Sequence, residues 1–456
     1  MTTAPELLCD GRVQLYCGDC LDVLAALEAN SIDACVTDSP YGLEFMGKEW
    51  DAPWQVSSSS ALFGKRQTRL RQMSGFQDWC QDWAREVIRV LKPGGHLLSF
   101  GGTRTFHRMA CAIEDAGFEI RDAIMWVYGS GFPKSHDVSK GIDRAAGAER
   151  ERIRGVRSGV VGGVYAQDAW SKEFKDSVLS SEPITDAARE WEGWGTALKP
   201  AVEPLVLARK PLSEGTIAAN VLKWGTGALN IGGCRVATND GLNGGAYAGA
   251  STLGGGTSYV LKNAIGKEFV QPSGRWPANI VHDGSDEVVG TFPWTASGSG
   301  NKNTGNRDNG LTIGNGLGAG IGDGIGGDSG SAARFFYTAK ADSDDRLGSK
   351  HPTVKPVDLI QWLVRLITPP CGLCLDLFAG TGTTGEACIR EGMRAVLIER
   401  EAEYQNDIRR RMRLAMSGPD ERSREAIKAK LGDKPVDAGP LFSGRMFADI
   451  HREAAE

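Results

Sequence analysis

Long apolar runs are missing from this chain. No stretch approaches the ~18 uncharged apolar residues of a membrane span. The first twenty residues carry acids and no long apolar run, so no secretory leader is expected and the chain should stay in the cytoplasm. Cysteine is sparse too: ten in 456 residues excludes a disulfide scaffold. Two pairs, Cys17/Cys20 and Cys371/Cys374, have the C-x-x-C spacing that by itself suggests zinc. Each lies on or beside an apolar strand, where cysteine packs as a small hydrophobe, so no metal site is expected. An excess of positive charge is also absent. The 52 Lys and Arg face 57 Asp and Glu, a net charge of −5, which excludes whole-molecule attraction to a polyanion. Any such contact must come from local basic patches. Three exist, at Lys65–Arg71, Lys134–Arg157 and Arg409–Arg413, and each taken singly reads as a solvated face. What the chain does have is 41% hydrophobic residues, enough for a folded core.

Strand and helix patterns alternate along two parts of the chain. Apolar runs at 12–20, 32–37, 96–100, 119–127 and 202–208 read as strands, with helical spacing at 21–29, 76–91 and 104–116. Residues 43–75 are polar, Ser-rich and basic and read as a long loop. The alternation resumes at 351, with a strongly amphipathic helix at 357–367, strands at 373–378 and 395–398, and helices at 384–391 and 402–415. Glycine-rich windows at 243–256 and 297–330 cannot bury enough apolar surface to form a core of their own. The expected fold class is α/β, a doubly wound, mostly parallel sheet split by a long insertion. The expected division is 1–138 and 336–416 as the two halves of the core, 139–190 as an insertion, 191–212 as a further core strand segment, 213–335 as a separate region, and 417–456 as a polar tail.

Two constellations carry chemistry. The first is Asp376-Leu377-Phe378-Ala379-Gly380-Thr381-Gly382-Thr383-Thr384-Gly385, followed by Glu399. A strand, a glycine turn and a helix start make a binding crevice at the carboxyl edge of a parallel sheet, and an acid about twenty residues on can accept two ribose hydroxyls. The pattern points to an adenosine-containing ligand without separating a dinucleotide from S-adenosylmethionine. A triphosphate loop is excluded, because no lysine follows the second glycine. The second constellation is Asp38-Ser39-Pro40-Tyr41, at the end of a buried strand. A carboxylate, a carbonyl held by proline and a flat aromatic suit a planar group with an exocyclic amino function. Taken alone, it is more often an ordinary turn.

Together with His351-Pro352-Thr353-Val354-Lys355-Pro356, these segments resemble the permuted beta group of DNA amino-methyltransferases, in bacteria and phages. Asp38 to Tyr41 is similar to the D-P-P-Y motif of that family, and Asp376 to Gly385 to its cofactor motif. Ser39 and Leu377 stand where the family has proline. The resemblance implies a Rossmann-like methyltransferase with a seven-stranded sheet and makes 213–335 an inserted target-recognition region. It implies S-adenosylmethionine held by Asp19, Lys355, Asp376, Phe378, Gly380, Gly382 and Glu399, and a flipped target base held by Asp38, Ser39, Pro40 and Tyr41. Arg235, Arg275 and Arg307 become possible readers of base edges, and the loop 64–72 a clamp on the DNA backbone. The leading Asp38 points to adenine N6, with cytosine N4 as the alternative. Two further alternatives are a DNA-binding module without catalysis and a methyltransferase for RNA or a protein glutamine amide. The partners implied are double-stranded DNA, a homodimer mate and a cognate restriction endonuclease, with no membrane.

Overall fold

The unbroken apolar runs become central strands, because a parallel strand covered on both faces has no solvent side to keep polar. The computed structural model describes residues 4–42, 65–131, 135–150, 182–238, 272–296, 329–339 and 343–431, with 152–153, 178–179 and 242. Its strands are β1 (Glu6–Leu8), β2 (Val13–Cys17), β3 (Ile32–Thr37), β4 (Leu91–Phe100), β5 (Glu119–Val127), β6 (Arg152–Ile153), β7 (Val178–Leu179), β8 (Val202–Arg209), β9 (Ile280–His282), β10 (Trp294–Ala296), β11 (Ser329–Ser331), β12 (Tyr337–Thr338), β13 (Leu373–Asp376) and β14 (Arg394–Glu399). Among the described residues ten of them form one sheet, in the order β1-β2-β14-β13-β3-β4-β8-β5-β9-β12. The seven strands from β2 to β5 are its body. β1 adds an antiparallel edge, while β9 and β12 extend the other edge in parallel. β8 runs antiparallel to both β4 and β5. The pairs β6–β7 and β10–β11 stand apart as small ribbons.

Side chains alternate between two cores, one on each face of the sheet. Ala395 and Leu397 of β14 join Leu205 and Leu207 of β8 on the face covered by helix Val357–Ile367. Val396, Ile398, Val206 and Ala208 turn to the other face, under helices Lys65–Val90 and Phe106–Asp115. This period of two is the pleat of a strand buried on both sides. The large side chains Trp362 and Trp83 fill the two layers, one each.

Two local readings differ from the sequence expectation. Of the expected loop 43–75, residues 65–75 are the first turns of helix Lys65–Val90, and 43–64 lie outside the described residues. Arg, Lys, Gln, Leu and Met in that stretch are good helix formers, and the buried face beginning at Phe76 lets the helix run through Gly75. The proposed backbone clamp at 65–72 is thus the start of a helix. Lys92–Gly95 carries the Pro-Gly-Gly breaker chemistry that stops a helix, and in the structure it follows the helix end as a bulge within β4, between the pairs Ile32–Leu91 and Ala34–His96. Gly94 there has φ +82°, which a side chain rarely adopts.

The polar segment after 417 opens with helix Pro419–Leu431. Arg422 in this helix pairs with the buried Glu386. The same carboxylate takes Arg411 at 2.8 Å and Arg390 at 2.8 Å. Arg411 is fully buried and also donates to the Thr381 carbonyl at 2.8 Å, so it braces the glycine turn from behind. Arg409 pairs with Glu6 and Arg410 with Asp407. Three arginines of the basic run 409–413 are therefore committed to acids of the fold itself.

Candidate active site

The carboxyl ends of four adjacent parallel strands, β2, β14, β13 and β3, meet at one edge of the sheet. At about 4.8 Å per strand spacing they span roughly 14 Å. Each ends in an acid: Asp19 just beyond β2, Glu399 on β14, Asp376 on β13 and Asp38 just beyond β3. All four line a single cavity of about 330 Å³, together with Ser39, Pro40, Tyr41, Lys355, Phe378 and Gly380. The two constellations read separately in the sequence are thus walls of the same space. A parallel sheet makes this arrangement, because its loops leave on one side.

The glycine turn is held by two acids in different ways. Asp376 is buried and bonds only to its own scaffold. Its Oδ1 accepts from Thr37 Oγ1 at 2.8 Å and from the Phe378 N–H at 3.2 Å, and its Oδ2 accepts from Thr384 Oγ1 at 2.6 Å. Burial pushes its carboxyl up to about 6, against those hydrogen bonds. Glu399 accepts the Gly380 N–H at 2.8 Å on one oxygen and the Glu401 N–H at 2.7 Å on the other. Burial pushes it up to about 7, opposed by the two N–H groups and helped by Glu401 and Asp376. Each Glu399 oxygen keeps a further lone pair for a hydroxyl. Gly380 and Gly382 have φ +51° and +80°. A Cβ on Gly380 would lie 3.3 Å from the His351 ring, so the turn approaches that ring as only glycine can. Burial holds His351 down to about 4, hence neutral, and its ring meets Tyr404 edge-on at 4.5 Å. Phe378 packs on Trp79 at 5.6 Å and Trp83 at 6.5 Å from helix Lys65–Val90. Asp19 caps helix Cys20–Ala26 through the Leu21 N–H at 2.9 Å.

The second wall is an ion cluster. Lys355 Nζ lies 2.6 Å from Asp38 Oδ2, 3.2 Å from Glu203 Oε2 and 3.2 Å from Tyr41 Oη. Burial pulls this ammonium down, but Asp38 and Glu203 outweigh it and hold the lysine above its ordinary value. Tyr41 Oη in turn lies 3.1 Å from Asp38 Oδ1 and 3.0 Å from Glu203 Oε2. Burial, with both carboxylates, pushes the phenol well up. Thr105 Oγ1 donates to the Tyr41 carbonyl at 2.6 Å, and Gly102 leaves room for the Tyr41 ring, since a Cβ there would sit 3.1 Å from Tyr41 Cβ.

Ser39, where the resembling motif has proline, is anchored by its hydroxyl. Oγ donates to the Phe100 carbonyl at 3.1 Å and lies 3.3 Å from Ser99 Oγ and from Met109 Sδ. The hydroxyl ties the corner to β4 where proline would stiffen it through its ring. Ser39→Ala is expected to cost about 1 kcal/mol of stability, the net worth of one buried hydrogen bond, and to leave the backbone carbonyl in place. Thermal denaturation alongside an activity assay checks both parts.

Glu203, Trp79 and Tyr404 were not singled out in the sequence. Trp79 and Trp83 stand four apart on a helix, a signal that fits any core face. Glu203 sits in an otherwise apolar strand, VEPLVLA, where a lone acid was the available sign. Gly131 packs on the segment before β8: a Cβ there would fall 1.7 Å from the Pro200 carbonyl oxygen. Phe132–Lys134 and Arg307 lie outside the described residues. Arg235 donates to the Gly274 carbonyl at 2.9 Å and stacks on the exposed Trp276 at 5.3 Å. Arg275 lies 4.5 Å from the Phe335 ring. Cys17 ends β2 at the cavity edge, whereas Cys371 precedes β13 at the far edge of the sheet. No helix among the described residues is long and apolar enough to cross a membrane.

The doubly wound α/β sheet, with acids and a glycine turn converging on one cleft, is a Rossmann-like fold. The chain belongs to the DNA methylase family of N6 and N4 methyltransferases, whose profile matches residues 32–149 and 271–410, more than half its length. Among curated relatives, it is 27% identical over 237 residues to the type II methyltransferase M.HindIII of Haemophilus influenzae, covering 47% of this chain and 64% of that one. It is 29% identical over 127 residues to M.HpaI of Haemophilus parainfluenzae, covering 28% and 35%. It spans less than two thirds of the length of either relative. Among solved structures, the PvuII cytosine-N4-specific DNA methyltransferase aligns over 94% of this chain and 96% of its own, at 14% identity and TM-score 0.42.

Proposed function

We propose that this protein transfers a methyl group from S-adenosylmethionine to the exocyclic amino group of a base in double-stranded DNA, adenine N6, after flipping that base from the helix. The observation that carries the reading is the shared cavity. The Glu399 and Gly380 crevice and the Asp38 to Tyr41 corner open into the same space from neighbouring strands. The residues present fit the cofactor. A buried carboxylate with spare lone pairs on both oxygens suits a ribose diol, and Phe378 and Ile398 supply an apolar wall for an adenine. Asp19 lies at the β2 end of the same wall. Asp376, which lines the same cavity, shapes the turn through its hydrogen bonds with Thr37, Thr384 and the Phe378 N–H.

S-adenosylmethionine supplies an electrophilic methyl group on a sulfonium. The chain's own residues handle the nucleophile. An aromatic amine is a weak nucleophile because its lone pair is conjugated with the ring. Asp38 and the Ser39 carbonyl accept its two hydrogens and turn the lone pair out of the ring. Pro40 holds that carbonyl, and Tyr41 stacks on the base. Asp38 would take a proton from the amino nitrogen as that nitrogen gains the methyl group and turns positive, which leaves the product amine neutral. Alignment and a preset acceptor supply the acceleration. The base must leave its stack to reach the cavity, at a cost of a few kcal/mol. The region 213–335, with Arg235 and Arg275, is the part proposed to read the DNA sequence. Asp38 at the head of the corner favours adenine over cytosine. A restriction partner and a second copy of the chain remain proposals of the same resemblance.

Tritium transfer from labelled S-adenosylmethionine tests the reading. Label should enter duplex DNA and appear as N6-methyladenine on digestion. N4-methylcytosine would replace the base and keep the reaction. Label confined to RNA or protein would replace the substrate, and bound DNA with no label would leave a binding module.

A further inference from the structure

The Asp38 carboxylate is already engaged by the protein. Lys355 Nζ holds Oδ2 at 2.6 Å, and the Tyr41 hydroxyl reaches Oδ1 at 3.1 Å. An amino group arriving at Asp38 therefore competes with an ammonium. Lys355 is buried, and a buried cation cannot simply give up its carboxylate. It has a second one within reach. Glu203 Oε2 is 3.2 Å from the same nitrogen, on a strand that neither motif contains. β8 pairs with β4 from Leu205 onward and with β5 through Glu203, which is in register with Trp126, so the backbone that carries this carboxylate is fixed by the sheet. The Tyr41 hydroxyl lies 3.1 Å from Asp38 and 3.0 Å from Glu203. It has one proton to give, so it can follow either arrangement.

We propose that Glu203 is a positioning residue that receives the Lys355 ammonium when the amino group of the target base takes its place on Asp38. The inference rests on the reading of Asp38 as the acceptor for that amino group. Two carboxylates share one ammonium, which leaves the cluster one negative charge. With the ammonium on Glu203, that charge resides on Asp38, beside the nitrogen that turns positive. With no acid at 203, the ammonium stays on Asp38 and the base must displace it outright.

The test uses the full chain and a duplex bearing the site found by sequencing methylated DNA from a host that expresses it. Two versions of the duplex are compared without methyl donor, one with the target base intact and one with hydrogen in place of its amino group. Fluorescence anisotropy gives the wild-type preference for the amino form. In E203Q that preference should fall about tenfold, the order of one charge-assisted hydrogen bond. KM for DNA should rise by a similar factor, and kcat should fall as well, because the cluster then carries no net negative charge beside the nitrogen. E203D should keep most of the preference. In a K355M background, E203Q should add no further loss, because no ammonium remains to be moved.

A merely structural Glu203 would instead lower the melting temperature in E203Q and E203D and leave the amino preference at its wild-type level, which overturns the proposal. A loss that persists in full on the K355M background overturns it as well. Should K355M fail to fold, the contrast between E203Q and E203D decides. If the wild-type chain transfers no methyl group to duplex DNA, the reading of Asp38 falls and the proposal falls with it. That outcome is visible before any variant is made.

Discussion

Asp38→Ala is expected to lower methyl transfer by about 10²–10³-fold, the range seen when one preset electrostatic partner of a transition state is removed. Affinity for S-adenosylmethionine should change little, because no Asp38 oxygen bonds to the glycine turn in the contacts of the site. The variant also strips Lys355 of its nearer carboxylate and leaves it to Glu203 at 3.2 Å. The ammonium thus keeps a partner, and the chain should fold. Single-turnover transfer and calorimetric cofactor binding, measured on the same preparation, separate the two effects. Full activity in this variant would remove Asp38 from the mechanism.

Glu399→Gln is expected to have the opposite signature. Loss of two charge-assisted hydrogen bonds to the ribose diol should weaken cofactor binding by about 10²-fold or more. The amide can present only one oxygen, so either the Gly380 or the Glu401 N–H also loses its acceptor. The wild-type protein should show a pH dependence that the variant lacks. Glu399 is pushed up to about 7 by burial, so in the folded chain it carries a proton over much of the range below that. Its share of folding stability is then fully present below the ordinary value of 4.5 and is lost as pH rises through about 7. Cofactor affinity runs the other way, because the ionised form is the better acceptor. Calorimetry from about pH 6 to about pH 8 should find tighter binding at the upper end in the wild type and a flat profile in Glu399→Gln. A flat profile in both would separate Glu399 from the ribose.

Much of the fold could be read from residue patterns. The runs IDACVT and RAVLIE each hold a block of small and branched apolar residues, and such a block, buried on both faces, has few other uses. The glycine turn was legible because two residues at positive φ need glycine and the strand before it ends in an acid. Residues 65–75, in the expected loop 43–75, are helix instead, although serine and glycine at 74–75 resemble a break. The packing of Phe76, Cys80 and Trp83 against the sheet, invisible locally, outweighs that signal. The edge strands β9 and β12 were also missed. They are two or three residues long, and a strand so short is defined by its neighbour and not by its own sequence.

The amino-acid order alone determined the inventory: an Asp-Ser-Pro-Tyr corner, a glycine turn with a downstream acid, and an α/β core in two parts. Each depends on contacts within a few residues, which local physics sets. Only the tertiary structure decided that the two parts are walls of one cavity, that Ser39 is tied to Phe100, and that Glu203 stands beside Lys355 and Asp38. Those neighbours are 61, 152 and 165 residues apart in the chain. What brings them together is strand pairing across the sheet, and pairing is chosen by the burial of both faces at once.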